Sequence, residues 1–409
     1  MTEEKNETTS EVKGATQFES KLLLSDEEIL KRGVSPDSIS QYRQQKYRES
    51  YTLEKWLSIP ELEKHTFTTL FLQLTFEQAD VFLASARYIQ ACISRDRSKN
   101  QTEFKSAAID DWNANKEAYE KVLNQLAQDI DTLLFETNKW DRSRGFFAKF
   151  NSRSPKDVFN YQGGDKRLRE LYFENLDELL FQTLNLPRRS RATPNEAVWA
   201  WYITTAKLLK MTCGKDVLDT FSASFRSLED LQAEIALGEK HMNLSLAFRQ
   251  WEDKIPYTAH GEFRGFVNNR QLNAVTQYMS MIQFPVHQTL EKREWYKEHI
   301  TQFFESQVKE FVPFDSYVID FLVFDDGRVA IIEFNPFYTK AGSGLFAWKT
   351  DRELFLNGPL EFRFLLQPDP TVINNLHNSW KDAFDRYLEQ DRRNPNLPNN
   401  SCSNCCVIV

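Results

Sequence analysis

Two strand-like runs joined by an Asp-Gly step make residues 317–335 the most constraining stretch of the sequence. The runs read YVIDFLVF and RVAIIEFN; both are rich in β-branched and aromatic residues, and Asp326-Gly327 between them is a strong hairpin signal. If these two residues alone form the turn, Asp325 pairs with Arg328 and Asp320 lies opposite Glu333. The stretch therefore predicts a hairpin that carries a pair of opposed carboxylates.

Side chains alternate along a strand, so Asn335 lies on the same face as this carboxylate pair. That face also carries Leu322, Phe324 and Ile331. Like charges opposite each other on a largely apolar face are unfavourable unless a cation lies between them. Two carboxylates and an amide oxygen suit Mg²⁺, which also bridges to phosphates, so Asp320, Glu333 and Asn335 are predicted metal ligands. Two alternatives stay open: a solvated hairpin with ordinary surface charges, and a three-residue turn, which would break the pairing.

Composition limits the class of protein. The chain has 409 residues and 41% hydrophobic composition, enough for a large core in about two to three domains or one elaborate domain. A formal net charge of −8, without a basic run interleaved with aromatic residues, argues against a nucleic-acid-binding protein and favours a nucleotide or a protein as partner. No window approaches the roughly 18 consecutive apolar residues of a membrane-spanning helix, and no signal peptide is indicated.

Shifts in composition and periodicity divide the sequence into six predicted segments. They are a tail with a short helix (1–50), a first α/β lobe (51–157), a helical insertion (158–243), a second α/β lobe (244–367), a C-terminal helix (368–389) and a Pro/Asn-rich linker (390–409). Within the first lobe, residues 97–112 are predicted to be a polar loop between two amphipathic helices. The expected fold class is α+β, two-lobed, with antiparallel sheets and flexible termini.

A lysine stands among apolar residues in the predicted strand 145–150, at Lys149. Taken alone, a lysine in such a strand more often extends along it to reach solvent. The loop that follows, residues 151–157, is rich in hydroxyl and cationic side chains, and this context instead predicts a phosphate-binding loop. It is not a P-loop, because the sequence contains no Gly-x-x-x-x-Gly-Lys motif.

Two arginines belong to further predicted strands. Arg249 lies in the strand 244–251, and Arg264 lies in a second hairpin, 262–278, with a predicted turn at Asn268-Asn269. On that hairpin Arg264 shares a face with Glu262 and Phe266. Each arginine alone could be a surface charge, but with Lys149 and the predicted metal ligands they form a complete set for holding a triphosphate with its metal.

The last four residues, Cys406-Val407-Ile408-Val409, have the form of a prenylation signal. They follow a linker that a modifying enzyme could reach, and Cys402 and Cys405 lie beside them as candidate palmitoylation sites. The alternative is a frayed tail with incidental thiols. The motif predicts a cytoplasmic protein tethered to the cytoplasmic face of a membrane by C-terminal lipidation.

These segments together resemble the cell division cycle protein 123 family, an ATP-grasp branch that assists assembly of translation initiation factor 2. The segments that carry the resemblance occur in the family's order and read FAKFNSRSPKD (147–157), LAFRQW (246–251), EFRGFV (262–267) and IDFLVFDDGRVAIIEFNPF (319–337), followed by LFAW (345–348). The resemblance implies an ATP-grasp-like fold in which two α+β lobes hold a nucleotide.

The resemblance also implies a role for each candidate residue. Lys149 and Arg264 would contact the phosphates of ATP, the backbone of Arg249, Gln250 and Trp251 would line the adenine hinge, and Mg²⁺ would be bound by Asp320, Glu333 and Asn335. The sequence departs from the family in having Glu333 in place of the usual aspartate and a cation, Arg153, in the predicted phosphate loop. The helical segment 158–243 is also longer than the family's.

Two functions are compatible with the resemblance. The first is an ATP-dependent assembly factor that acts on a protein partner such as the γ subunit of translation initiation factor 2. The second is an ATP-grasp ligase or transferase that activates a carboxylate as an acyl phosphate for attack by an amine. The six histidines lack a partner motif that would mark a general base, but phosphoryl transfer relies mainly on positioning and charge, so both functions stay open.

Overall fold

The computed structural model describes residues 26–32, 39, 40, 42, 50–93, 99–160, 162–186, 189–255, 258–339 and 341–393. The chain divides into two compact units. Unit 1 comprises Met1–Val158, Leu209–Ser280 and Phe284–Leu365, and unit 2 comprises Phe159–Leu208, Met281–Gln283 and Leu366–Val409. The predicted tail before residue 26 and the predicted prenylation motif lie outside the described residues.

Unit 1 contains two β-sheets. The strands are β1 (Thr69–Gln73), β2 (Phe146–Phe150), β3 (Ser245–Gln250), β4 (Glu262–Asn268), β5 (Gln271–Gln277), β6 (Tyr317–Val323), β7 (Val329–Pro336) and β8 (Glu361–Arg363). The first sheet has the order β1-β3-β2 and is antiparallel; the second has the order β7-β6-β4-β5-β8 and is antiparallel except where β8 runs parallel to β5. The predicted α+β class with antiparallel sheets is confirmed.

Twelve helices are described. Those of unit 1 are α1 (Asp26–Lys31), α2 (Leu53–Leu57), α3 (Pro60–Glu63), α4 (Phe76–Ile93), α5 (Lys99–Asp131), α8 (Gly214–Ala223), α9 (Phe225–Ile235), α10 (Leu290–Phe303) and α11 (Arg352–Asn357); those of unit 2 are α6 (Lys166–Glu178), α7 (Pro194–Lys207) and α12 (Asn378–Arg393). π-helical turns at Thr132–Thr137, Leu179–Thr183 and Phe304–Val308 extend α5, α6 and α10. None of the described helices combines the length and the apolar composition needed to cross a membrane.

The first sheet is packed on both faces. One face, with Phe146, Phe150 and Phe248, is buried against α4, α5, α8 and α9. On the other face Ala247 and Phe71 join the core of the second sheet. Lys149 pairs with Ala247 across β2 and β3, so alternation directs its side chain toward the second sheet.

Unit 2 is helical. Thr193 and Glu196 form a capping box at the start of α7, with Pro194 at the first helical position. Tyr172 of α6 donates a hydrogen bond of 3.2 Å to the carbonyl oxygen of Ala197, and its ring lies 5.5 Å from that of Trp380 in α12. Residues 209–243, which the sequence placed in one insertion with residues 158–208, belong to unit 1 instead.

The prediction of a polar loop at residues 97–112 is wrong, because α5 begins at Lys99 and continues to Asp131. The missed signal is the spacing of four between Phe104, Ala108 and Trp112, which is a helical apolar stripe. Trp112 is buried and stacks on Tyr88 of α4, with 5.1 Å between the ring centroids.

The hairpin of β6 and β7 forms, but its turn differs from the predicted one. Phe324 pairs with Arg328 through a backbone hydrogen bond of 2.9 Å, so the turn has three residues and ends at Gly327, whose φ is +87°. The predicted Asp325–Arg328 pair is therefore wrong. A β-bulge between Ile331 and Glu333 then shifts the register by one residue, and Asp320 lies opposite Glu333 as predicted.

The same bulge changes the face on which Ile331 lies. Ile331 pairs with Phe321 and is buried with it in the core, so its predicted place beside the carboxylate pair is wrong. The second hairpin turns one residue later than predicted: Asn268 pairs with Gln271, and the turn is made by Asn269 and Arg270, whose φ angles are +48° and +61°.

Candidate functional site

A cavity of about 610 Å³ lies in unit 1, and both sheets contribute to its wall. Strands β2, β4 and β7, helix α9 and the loop that follows β2 supply its charged side chains. Of the predicted site residues, this cavity is lined by Lys149, Arg264, Glu333 and Asn335. The volume lies within the range of small-molecule sites.

Asp320 lies on β6, an interior strand of the second sheet, opposite Arg264 of β4 on one side and Glu333 of β7 on the other. Arg264 donates two hydrogen bonds of 2.8 Å to it, from Nε to Oδ1 and from Nη2 to Oδ2. The Asp320 side chain is 2% exposed, so it is a buried carboxylate held by a bidentate guanidinium.

Glu333 is paired with Lys149 of the first sheet, with 2.7 Å between Nζ and Oε2. The Lys149 side chain is 9% exposed, and the alternative in which it extends to solvent is therefore wrong. The two opposed carboxylates thus coexist because each has a cation of the protein beside it.

These pairs govern the ionisation of the site. Burial opposes the charge of Glu333, but Lys149, with Lys156 and Arg264, holds the pKa of Glu333 well below its usual range. Burial likewise opposes the charge of Arg264, but Asp320 keeps its pKa above the usual value. Burial raises the pKa of Asp320, and the charge and hydrogen bonds of Arg264 oppose that rise.

Asn335 completes the predicted metal-ligand set. Its Nδ2 lies 3.5 Å from Oδ2 of Asp320 and 3.4 Å from Oε1 of Glu333, so one amide contacts both carboxylates. Among the described residues no cluster of three or more His, Cys, Asp and Glu side chains occurs, which leaves a set of two carboxylates and one amide. Carboxylate and amide oxygens suit a cation such as Mg²⁺, but in this structure Nδ2 rather than Oδ1 of Asn335 faces the carboxylates, and both oxygens of Asp320 accept from Arg264. Exchange of the amide nitrogen and oxygen of Asn335 would bring a third oxygen to the set.

Arg249, Gln250 and Trp251 do not line this cavity. The buried guanidinium of Arg249 donates to the carbonyl oxygen of Ile332 at 3.0 Å and to Oγ1 of Thr69 at 3.1 Å, and burial lowers its pKa to about 10. Arg249 and Gln250 lie at one end of β3, and Trp251 follows them. The cavity is near the other end of this strand, where the carbonyl oxygen of Ser245 accepts a hydrogen bond from the backbone amide of Asn151, a residue of the cavity wall. The predicted adenine hinge at residues 249–251 stays a prediction.

The loop after β2 contributes two cations with different surroundings. Arg153 is paired with Asp230 of α9 at 2.6 Å and with Glu229 at 3.0 Å, so its charge is compensated by the protein. Lys156 donates instead to the phenol oxygen of Tyr278, at 2.9 Å. The prediction that this loop binds phosphate therefore depends on Lys156 more than on Arg153.

Sequence reasoning missed several residues of the cavity wall, among them Arg226 and Tyr278. Arg226 comes from α9, in a segment that gave no local signal beyond its helical pattern. Tyr278 directly follows β5, and its ring lies 4.9 Å from the guanidinium carbon of Arg264. The position of Tyr278 at the end of a predicted hairpin that also carries Arg264 is the signal that could have identified it.

Comparison with known proteins gives one family and several relatives. The model of a family described as D123 matches residues 174–396, more than half of the chain. A relative from Xenopus laevis named translation initiation factor eIF2 assembly protein is 27% identical over 178 residues, which is 42% of this chain and 50% of that protein. A relative from Danio rerio with the same name is 34% identical over 109 residues, 26% of this chain and 30% of that protein.

A relative from Yarrowia lipolytica named cell division cycle protein 123 is 28% identical over 168 residues, 40% of this chain and 42% of that protein. The chain thus spans about half the length, or less, of these curated relatives. The solved structure of Cdc123 from Schizosaccharomyces pombe is also similar, with 17% identity, a TM-score of 0.43, and coverage of 76% of this chain and 95% of that one.

Proposed function

The chain belongs to the D123 family, and from that membership and the cavity described above we propose that it is an ATP- and Mg²⁺-binding assembly factor acting on a protein partner. The observation that carries the nucleotide part is that Lys149, Arg264, Glu333 and Asn335 line one cavity, while the buried Asp320 is paired with Arg264 and lies 3.5 Å from Asn335. This combination suits a triphosphate with its metal, because the cations match phosphate oxygens and the other groups match the cation.

Each residue has a role in this proposal. Lys149 and Arg264 donate charge-assisted hydrogen bonds to phosphate oxygens. Asp320, Glu333 and Asn335 supply the oxygen ligands that would hold Mg²⁺, and bound Mg²⁺ would neutralise phosphate charge. Since Lys149 and Arg264 contact the same carboxylates, nucleotide and metal would bind as one unit rather than independently.

The partner is inferred from the relatives. Two of them are named as eIF2 assembly proteins, and the partner we propose for this chain is related to translation initiation factor 2, with its γ subunit as the specific expectation. Among the described residues that line the cavity there is no histidine to serve as a general base. This does not decide against a ligase, because phosphoryl transfer relies mainly on positioning and charge, and the assembly role is favoured by the names of the relatives alone.

The test measures retention of purified γ subunit of translation initiation factor 2 on the immobilised chain, with and without ATP and Mg²⁺. We expect retention to increase with the nucleotide, and Lys149→Met to remove the increase because it removes a phosphate contact. Lys309→Met is the matched control, since Lys309 directly follows the π-helical extension of α10, pairs with Glu305 of that extension and does not line the cavity. Equal retention without nucleotide would contradict the proposal, and acceptor-dependent release of ADP without the γ subunit would favour the ligase alternative.

A further inference from the structure

Strand β1 forms one edge of the first sheet, and its outer side is open. The amide of Leu74 donates to the carbonyl oxygen of Leu244 at 3.0 Å, which fixes the direction of the backbone groups in the β1–β3 ladder. Because these groups alternate along a strand, the amides and carbonyls of Thr69, Phe71 and Gln73 point away from β3. These outward groups make no backbone hydrogen bond within the part of the chain that the structure describes.

Other outer strands of the two sheets are partly covered by the protein itself. In the first sheet, Phe146 of β2 exchanges two backbone hydrogen bonds of 2.8 Å with Met211. In the second sheet, the amide of Ile331 in β7 donates to the carbonyl oxygen of His65 at 2.8 Å. The sequence of β1, TLFLQ, contains neither the charged residues nor the proline that commonly protect an exposed edge from pairing. The edge of β1 is therefore available to a further strand.

A cavity of about 560 Å³ lies beside β1 and is called the edge cavity below. It is lined by Thr69 and Phe71 of β1, by residues 66–68 before the strand, and by residues of α2 and α3 that include two carboxylates, Glu54 and Glu63. No described residue lines both the edge cavity and the cavity proposed to bind ATP. The edge cavity is therefore a separate surface of unit 1.

The wall of the edge cavity contains an unsatisfied carboxylate oxygen. Oε1 of Glu54 accepts a hydrogen bond from Oγ of Ser245, but Oε2 is buried and has no hydrogen-bond partner among the described residues. Glu63 is exposed and takes part in none of the ion pairs of the described chain; the same is true of Lys64, the one basic residue among the described residues of this wall. A buried carboxylate oxygen without a partner is unfavourable, so this wall suits a cationic group.

Glu54 lies over the face of the first sheet that an added strand would extend. Its partner Ser245 is opposite Gln73 of β1 in the register, so their side chains share a face, and Phe71 lies on the same face two positions away. A strand added beside β1 would direct every second side chain to this face, next to the edge cavity. A basic side chain at such a position would face the carboxylate of Glu54.

We propose that the outer edge of β1 binds an extended segment of a protein partner, and that a lysine or arginine of this segment pairs with Glu54. The backbone of the segment hydrogen-bonds to Thr69, Phe71 and Gln73, which is recognition by strand addition. The basic side chain supplies the missing partner of Oε2 through a charge-assisted hydrogen bond. This docking surface goes beyond the proposed nucleotide-dependent function and needs no bound ATP.

Binding of fluorescein-labelled peptides to the full chain, measured by fluorescence anisotropy without ATP, tests the proposal. The probe alternates valine and lysine over about seven residues, and its counterpart alternates valine and glutamate. The parent protein should bind the lysine peptide about ten-fold or more tightly than the glutamate peptide. Glu54→Gln should weaken binding of the lysine peptide about ten-fold, and Glu63→Gln less. Glu120→Gln is the matched control, because Glu120 is exposed on α5 and lies outside the edge cavity.

N-methylation of the lysine peptide distinguishes strand addition from simple attraction between charges. Every second amide of an added strand faces β1, and the amides between them face away. Methylation of the amides of one set, either the lysines or the valines, should abolish binding, and methylation of the other set should leave the affinity nearly unchanged. Loss of binding with both sets, or with neither, would overturn strand addition.

Melting temperatures close to that of the parent protein establish that the variants are folded; if Glu54→Gln is not, the peptide comparisons on the parent protein decide. Equal affinity for the lysine and glutamate peptides would overturn the proposal. So would affinity for the lysine peptide that neither folded Glu54→Gln nor Glu63→Gln changes. A parent protein that is dimeric by sedimentation and binds the peptide only as it dissociates would also overturn it, because a second copy would then occupy the edge.

Discussion

A buried lysine on a strand needs a partner, and Lys149 has one in Glu333 of the facing sheet. The apolar strand and the polar loop after it were enough to single out Lys149 from the sequence. They could not identify Glu333 as its partner, because the two residues are 184 positions apart and meet only when the two sheets pack. Arg249 illustrates the limit of the same reasoning, since its strand was predicted but its side chain hydrogen-bonds within the fold and does not line the cavity.

The Lys149–Glu333 pair predicts a pH-dependent contribution to stability. Because the pKa of Glu333 is lower in the folded chain than in the unfolded one, the contribution is present above about pH 4.3 and is lost as the pH falls through the folded-state value. We expect Lys149→Met to lower the free energy of unfolding by about 1–3 kcal/mol at pH 7 and by less below pH 4.

Urea unfolding of both proteins across this pH range measures the effect. The control Lys309→Met breaks a surface pair with Glu305 and should cost only about 0.3–0.5 kcal/mol. A destabilisation by Lys149→Met that does not decrease in acid would contradict the assignment of charge to this pair.

At the scale of elements, the hairpin of β6 and β7 contains two departures from the predicted geometry whose effects cancel. The turn is one residue longer than predicted, and the bulge at Ile332 restores the pairing of Asp320 with Glu333. An Asp-Gly step is compatible with either turn, and two adjacent isoleucines do not reveal which of them is the extra residue. The bulge has a role of its own, because the carbonyl oxygen of Ile332 accepts from Arg249 of the first sheet.

The turn itself is testable at Gly327. Its φ of +87° is a conformation that other residues rarely adopt, and a Cβ there would lie 2.7 Å from Nε2 of His299. We expect Gly327→Ala to lower the free energy of unfolding by about 1–3 kcal/mol, measured by urea denaturation.

Two other glycines distinguish backbone strain from steric clash as the cause of the stability lost in Gly327→Ala. Gly238 has a φ of +77° but open space where a Cβ would lie, so Gly238→Ala should cost about 1 kcal/mol from backbone strain alone. Gly164 has open space and no positive φ, and Gly164→Ala should change stability by about 0.5 kcal/mol or less. Equal stability of Gly327→Ala and the parent protein would contradict the three-residue turn.

At the scale of the whole molecule, the α+β class and the family were predictable because the motifs lie in strands whose patterns are local. The elements that form the cavity wall were not predictable from local patterns. Residues 209–243 were grouped with the helices before them, yet α9 belongs to unit 1 and contributes Arg226 and Asp230 to the cavity. Helical periodicity gives the existence of α9 but not the sheet on which it packs. The ATP-grasp-like arrangement, the adenine hinge and C-terminal lipidation stay predictions.

The central claim is that the cavity of unit 1 binds ATP together with Mg²⁺, and calorimetric titration of ATP with and without Mg²⁺ tests it most directly. The parent protein should bind ATP about ten-fold or more tightly with Mg²⁺ than without it.

The double variant Asp320→Asn/Glu333→Gln should lose this Mg²⁺ dependence, and Asn335→Ala, which leaves both ion pairs intact, should reduce it. The control Asp219→Asn/Glu294→Gln changes two exposed carboxylates and should behave as the parent. Unchanged Mg²⁺-dependent affinity in the folded double variant and in Asn335→Ala would contradict the account.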